Sequence, residues 1–175
     1  MKKLVAAMLC LALSLMCAVG LANEKIDPSE LQIGVIMIGD TSDMGFNYSH
    51  LVGLQEMQKN LGIEDHQITI LENVADDSTC ADAISELISN GCNVIIGNSF
   101  GFQTYMYEAA AQHPEVLFCH YSGLLQNDTN FCRFNARNYQ TRYLQGIAAA
   151  MRSESGKIGF VGAFKNAEVN VSLNA

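Results

Sequence analysis

Between residues 32 and 38 the chain reads Gln-Ile-Gly-Val-Ile-Met-Ile, an extended run with no polar alternation in which Ile33, Val35, Ile36, Met37 and Ile38 are all apolar. A strand apolar on both faces must be covered on both faces, which restricts the chain to layered folds with helices on either side of a sheet. Helical and extended segments then alternate. Leu51, Leu54, Met57 and Leu61 recur at helical spacing, and Gly62 ends that helix. Residues 67–71 read as a second strand. Asp77 and Ser78 cap a helix in which Ala81, Ile84, Leu87 and Ile88 share a face, stopped by Asn90 and Gly91. Residues 93–97 form a third strand, followed by a helix that includes Ala109, Ala110 and Ala111 and that Pro114 halts. Residues 116–121 and 130–136 give a fourth and a fifth strand. Leu144, Ile147, Ala148 and Met151 mark one more helix, and residues 157–163 read as a further strand. Such alternation specifies a parallel sheet with right-handed crossovers, a doubly wound three-layer α/β domain.

In a parallel sheet of this kind the carboxyl ends of the strands lie on one edge, and the loops there build the ligand site. The loops after strands one, three and four span residues 40–46, 98–102 and 122–125, so polar and aromatic side chains converge on one edge. Asp43 can accept hydrogen bonds from N–H groups, and Phe46 offers a flat face for stacking, a combination suited to a planar, nitrogen-rich molecule. The same residues admit a purely structural role, with Asp43 capping the helix and Phe46 starting its core face. Asn98, Ser99 and Gly123 likewise suit either a ligand wall or ordinary turns and caps.

Residues 1–22 carry Lys2 and Lys3, then an apolar run, then Gly20-Leu21-Ala22 before the polar Asn23. This is the pattern of a secretory signal peptide cleaved after Ala22. The run is shorter than the roughly 20 apolar residues of a membrane span. Lipid attachment at Cys17 is the lesser alternative, because bulky Leu15 and Met16 precede it. Residues 23–31 read as a linker, 32–153 as the first lobe, and 154–175 as the crossover and first strand of a second. The chain has 18 acidic against 10 basic residues. That balance disfavours nucleic acid, whose phosphates require clustered Lys and Arg.

Sequence motifs for catalysis are lacking. There is no G-x-G-x-x-G in the first strand-to-helix turn, no phosphate loop and no G-x-S-x-G elbow. His50, His66, His113 and His120 show no ligand spacing, so neither metal nor cofactor is expected and the chain does not read as an enzyme. Beyond the leader, Cys80, Cys92, Cys119 and Cys132 match neither a zinc pattern nor a dense disulfide framework. They read as buried thiols, with Cys119 and Cys132, on neighbouring strands, the pair best placed to bridge.

Five blocks carry a family resemblance. They are D-M-G-F-N-Y-S-H at 43–50, N-S-F-G-F at 98–102, F-C-H-Y-S-G at 118–123, F-N-A-R-N-Y-Q-T-R-Y-L-Q-G at 134–146 and K-I-G-F-V-G-A-F at 157–164. In this order they resemble the basic membrane protein family of ABC transporter substrate-binding proteins, whose best-described members are purine nucleoside receptors. The resemblance implies a type I periplasmic-binding fold, in which two α/β lobes close on a purine base or nucleoside that is passed to an ABC permease of the inner membrane. It further implies an exported, monomeric protein of the periplasm or cell surface.

Carried over by position, the ligand contacts would be Asp43, Phe46, Asn47, Asn98, Ser99, Phe100, Gly101 and Phe164. Phe46 would stack on the base, Asn98, Ser99 and Phe100 would form a wall, and Phe164 would lie near the entry to the second lobe. His120 and Arg137 match family positions and would brace strands four and five. Three departures bear on specificity: Phe46 stands where the family form has tryptophan, Met44 where it has glycine, and Asp40 where it often has proline. Family members are about twice as long, so the second lobe is expected to be incomplete here and the affinity of a lone lobe weak. Other solutes, such as a sugar or a signalling molecule, and an exported regulatory module that binds a protein partner are the competing expectations.

Overall fold

The structure is a computed structural model that describes residues 26–163 and 165–175. The expected signal segment, with Cys10 and Cys17, and the candidate contact Phe164 lie outside the described residues. Two units are distinguished, ending and starting at Leu31 and Gln32. In the first, residues Pro28–Glu30 form a 3-10 turn whose preceding Asp27 carboxylate accepts bonds from the Ser29 N–H at 2.9 Å and hydroxyl at 2.7 Å.

The second unit holds five strands, β1 (Ile33–Ile36), β2 (Ile68–Leu71), β3 (Val94–Gly97), β4 (Leu117–Tyr121) and β5 (Phe131–Phe134). All pair in parallel in the order β2-β1-β3-β4-β5. Helices α1 (Phe46–Leu61), α2 (Thr79–Ser89), α3 (Gln103–Gln112), α4 (Asn138–Arg152) and α5 (Ala167–Leu173) connect or follow them. Strand order reverses between β1 and β3. Successive crossovers leave this point in opposite directions along the sheet, and a crevice opens at the strand carboxyl ends.

Local signals set the element ends. Gly62 closes α1 in the left-handed region at φ 68°, which a glycine adopts without a Cβ penalty. Asp77 accepts bonds from the Thr79 N–H and hydroxyl and so starts α2. The main core joins Ile36, Ile84, Leu87, Ile95, Phe102, Met106, Phe118 and Phe131. Val35 and Met37 alternate to the opposite face and are buried too, as is Leu54 of α1.

Two expectations need correction, and one helix that forms as expected is left uncovered. Residues 157–163 do not form a strand: a strand needs a neighbour to receive its backbone groups, and no sheet strand lies alongside. Helix α4 forms as its periodicity predicts, yet Tyr143, Leu144, Ile147 and Met151 are all exposed, and none of its residues is buried. Cys80 and Cys92 are buried, but Cys132 is exposed because it lies on the edge strand β5, where only Phe131 is covered.

Candidate functional site

At the reversal point the turn after β1 is organised by Asp43. Its carboxylate accepts bonds from the N–H groups of Gly45 at 2.9 Å, Asn47 at 2.8 Å and Tyr48 at 2.9 Å, and from the Asn47 amide at 3.0 Å. These are the donors that a helix start leaves without partners, so the acid fastens the start of α1. The bonds from Tyr48, Asn47 and Gly45 hold the Asp43 pKa down at about 2.

Asn47, in the first turn of α1, is buried and passes the connection on to the loop after β3. Its Oδ1 accepts a bond from Asn98 Nδ2 at 2.8 Å, and Asn98 Oδ1 in turn accepts from the Ile38 N–H at 3.0 Å. Ser99, the next residue, donates its hydroxyl to Asp76 Oδ2 at 3.0 Å and accepts, at its carbonyl, His120 Nε2 at 2.7 Å. A carbonyl only accepts, so the His120 proton sits on Nε2 and Nδ1 is a bare acceptor. That Nδ1 is buried without a hydrogen-bond partner, and burial pushes the imidazole pKa down. The His120 ring also stacks on Phe131, with centroids 6.2 Å apart.

These loops wall a cavity of about 620 Å³ whose lining includes Phe46, Asn47, Asp76, Asn98, Ser99, Phe100 and Gly101. Six of the eight residues singled out in the sequence therefore share one wall. Asp43 does not line it, and Phe164 lies outside the described residues. Phe46 is braced edge-on by His50 at 4.7 Å and Tyr121 at 5.8 Å between ring centroids. It also lines a second cavity of about 500 Å³ together with those two residues, so its ring partitions the two spaces.

Asp76 was not among the sequence candidates. It follows β2, whose loop reaches the same edge, so the topology alone could have flagged it. A Cβ on Gly101 would lie 2.3 Å from Asp76 Cγ, which makes glycine the residue that lets this carboxylate reach the wall. Arg142, Lys165 and Glu168 add charge to the lining from the segments after β5. Among the described residues there is no cluster suited to a metal ion.

Residues 30–175 match the model of the family described as ABC transporter substrate-binding protein PnrA-like. The chain belongs to this PnrA-like family. It is a family of solute-binding proteins rather than enzymes. A purine-binding protein of Brucella abortus is 34% identical over 154 residues, covering 88% of this chain and 42% of that protein. A putative ABC transporter glucose-binding protein of Haloferax volcanii is 32% identical over 141 residues, covering 80% and 35%. Among solved structures, a transcriptional activator of the comK gene from Bacillus halodurans superposes with a TM-score of 0.60 at 26% identity, covering 82% of this chain and 48% of that one. This PnrA-like chain thus spans less than half the length of each of these relatives. No helix among the described residues is long and apolar enough to cross a membrane.

Proposed function

We propose that the chain supplies the first ligand-binding lobe of an exported receptor that takes up a purine base or nucleoside for an ABC permease. The observation that carries this reading is the wall itself: the exposed ring of Phe46 stands beside the Asn47–Asn98 amide pair and the Ser99–Asp76 pair. A purine presents a flat π-face together with ring nitrogens and exocyclic donors, and such a wall meets both kinds of surface. Asp43 serves this reading at one remove, by fixing the turn that aims Phe46 and Asn47. The Brucella relative, named for purine binding, points the same way.

A sugar is the second reading, favoured by the name of the Haloferax relative. Sugars also stack on aromatic rings but need hydroxyl partners around the whole ring edge. Titrating the isotope-labelled protein with adenine, guanosine, inosine and glucose at millimolar concentration, followed by NMR, separates the two. Purines should shift the resonances of Phe46, Asn98 and Ser99, and Phe46→Ala should weaken that response about tenfold, the scale of one lost aromatic contact. Equal or larger shifts with glucose would overturn the purine assignment.

A further inference from the structure

Cys119 on β4 and Cys132 on β5 are directly opposed in the parallel register, and their sulfurs lie 3.4 Å apart as free thiols. Neighbouring strands run about 4.8 Å apart, so in-register residues of adjacent strands fall inside the roughly 4.4–6.8 Å Cα separation of bridged cysteines. Here both side chains also project to the same face, which brings the sulfurs together. We infer that Cys119 and Cys132 are a dithiol site for reversible oxidation, a cross-strand bridge that ties the edge strand β5 to β4.

The two thiols are not equivalent. Cys132 is exposed, whereas Cys119 is partly covered, and burial together with the neighbouring sulfur raises its pKa. Cys132 is therefore the entry point. As a thiolate it attacks one sulfur of an external disulfide, forming a mixed disulfide and expelling one thiolate. Cys119 then gives up its proton to solvent and attacks the Cys132 sulfur, expelling the second thiolate and closing the bridge. The protein loses two protons and two electrons, and the external disulfide becomes two thiols. Any small-molecule or protein disulfide of an oxidising compartment can serve as that acceptor. Cys80 and Cys92 are buried, and burial raises both pKa values, so they stay outside this chemistry.

The bridge would sit one position before the His120–Arg133 register pair and two before Tyr121–Phe134. It would pin the edge strand just below the aromatic group that holds Phe46. This geometry does not depend on which solute the cavity takes.

The test is incubation of the reduced full chain with oxidised glutathione, followed by proteolysis and mass spectrometry of the alkylated peptides. The expected result is one species in which the peptides carrying Cys119 and Cys132 are joined, about 2 Da lighter than the sum of the reduced peptides, and reverting with dithiothreitol. Cys132→Ser, at an exposed position, should fold normally and leave Cys119 alkylated in full. A Cys132–glutathione adduct that persists without resolving, full alkylation of both residues, or bridging of either to Cys80 or Cys92 would each overturn the proposal.

Discussion

Asn98 donates its side-chain N–H to the Asn47 side-chain oxygen at 2.8 Å, although 51 residues separate them in the chain. Both are buried, and the pair joins the start of α1 to the end of β3 across the reversal point. Removing the Asn98 amide leaves the Ile38 N–H without its acceptor and takes from Asn47 Oδ1 its shortest donor, on a wall where both asparagines are almost wholly covered. Asn98→Ala should lower stability by about 2 kcal/mol, within the usual penalty for such groups. The urea midpoint would show it, and an unchanged midpoint would mean that solvent replaces the lost bonds.

The Asp43 carboxylate should set an acid limit on the turn. Its pKa is near 2 in the folded chain and 3.8 ordinarily, so the unfolded chain takes up the proton first as pH falls. The stabilisation is complete above pH 3.8 and is lost progressively as pH approaches 2. Asp43→Asn should be less stable than the parent at pH 6, with a difference that shrinks steadily by pH 2.5. Denaturation curves at the two pH values measure this.

His120 works in a different pH range. Its folded pKa lies below the ordinary 6.5, because burial outweighs the opposite pull of the Ser99 carbonyl and of Asp76. The unfolded chain therefore binds its proton first, and stability is whole above pH 6.5 and declines as pH falls below it. Burial lowers His50 as well, with the same sign. His120→Asn should flatten the decline between pH 7 and pH 5 without abolishing it. If thermal unfolding midpoints fall equally in both proteins, His120 is not the group that titrates.

Gly101→Ala tests whether Asp76 belongs to the cavity wall. The added methyl would lie 2.3 Å from Asp76 Cγ and 2.6 Å from Asp76 Cβ, so turning the carboxylate does not relieve the overlap and the loop after β2 must shift, at a cost of about 1–3 kcal/mol. The Ser99 hydroxyl would lose its acceptor. Purine-induced shifts at Ser99 should then weaken while those at Phe46 persist. Equal losses at both would indicate a general collapse of the loop instead.

The sheet was open to sequence reading because its strands are short apolar runs set between helices that Gly62, Asn90-Gly91 and Pro114 end, each acting on its own neighbours. The first five expected strands overlap the observed ones with differences of one to three residues in total at their ends, and the sixth, at 157–163, has no counterpart. The cavity wall was partly legible, since Phe46, Asn98 and Ser99 follow strands that the same patterns identify. What escaped depends on distant partners. The His120–Ser99 bond and the approach of Asp76 to Gly101 join separate crossovers, and no spacing encodes them. Asp43 shows the limit most plainly, because a carboxylate aimed at a ligand and one aimed at a helix start have the same sequence.

The reversal between β1 and β3 has a bearing on how members of a solute-binding family can change their ligands. The loops that form the wall begin where the strand ladders have already ended. Side chains at 46 and 99–101 can therefore be exchanged without altering a single strand pairing. Selectivity and foldability are written in separate parts of the chain, and a lineage can revise the first while inheriting the second.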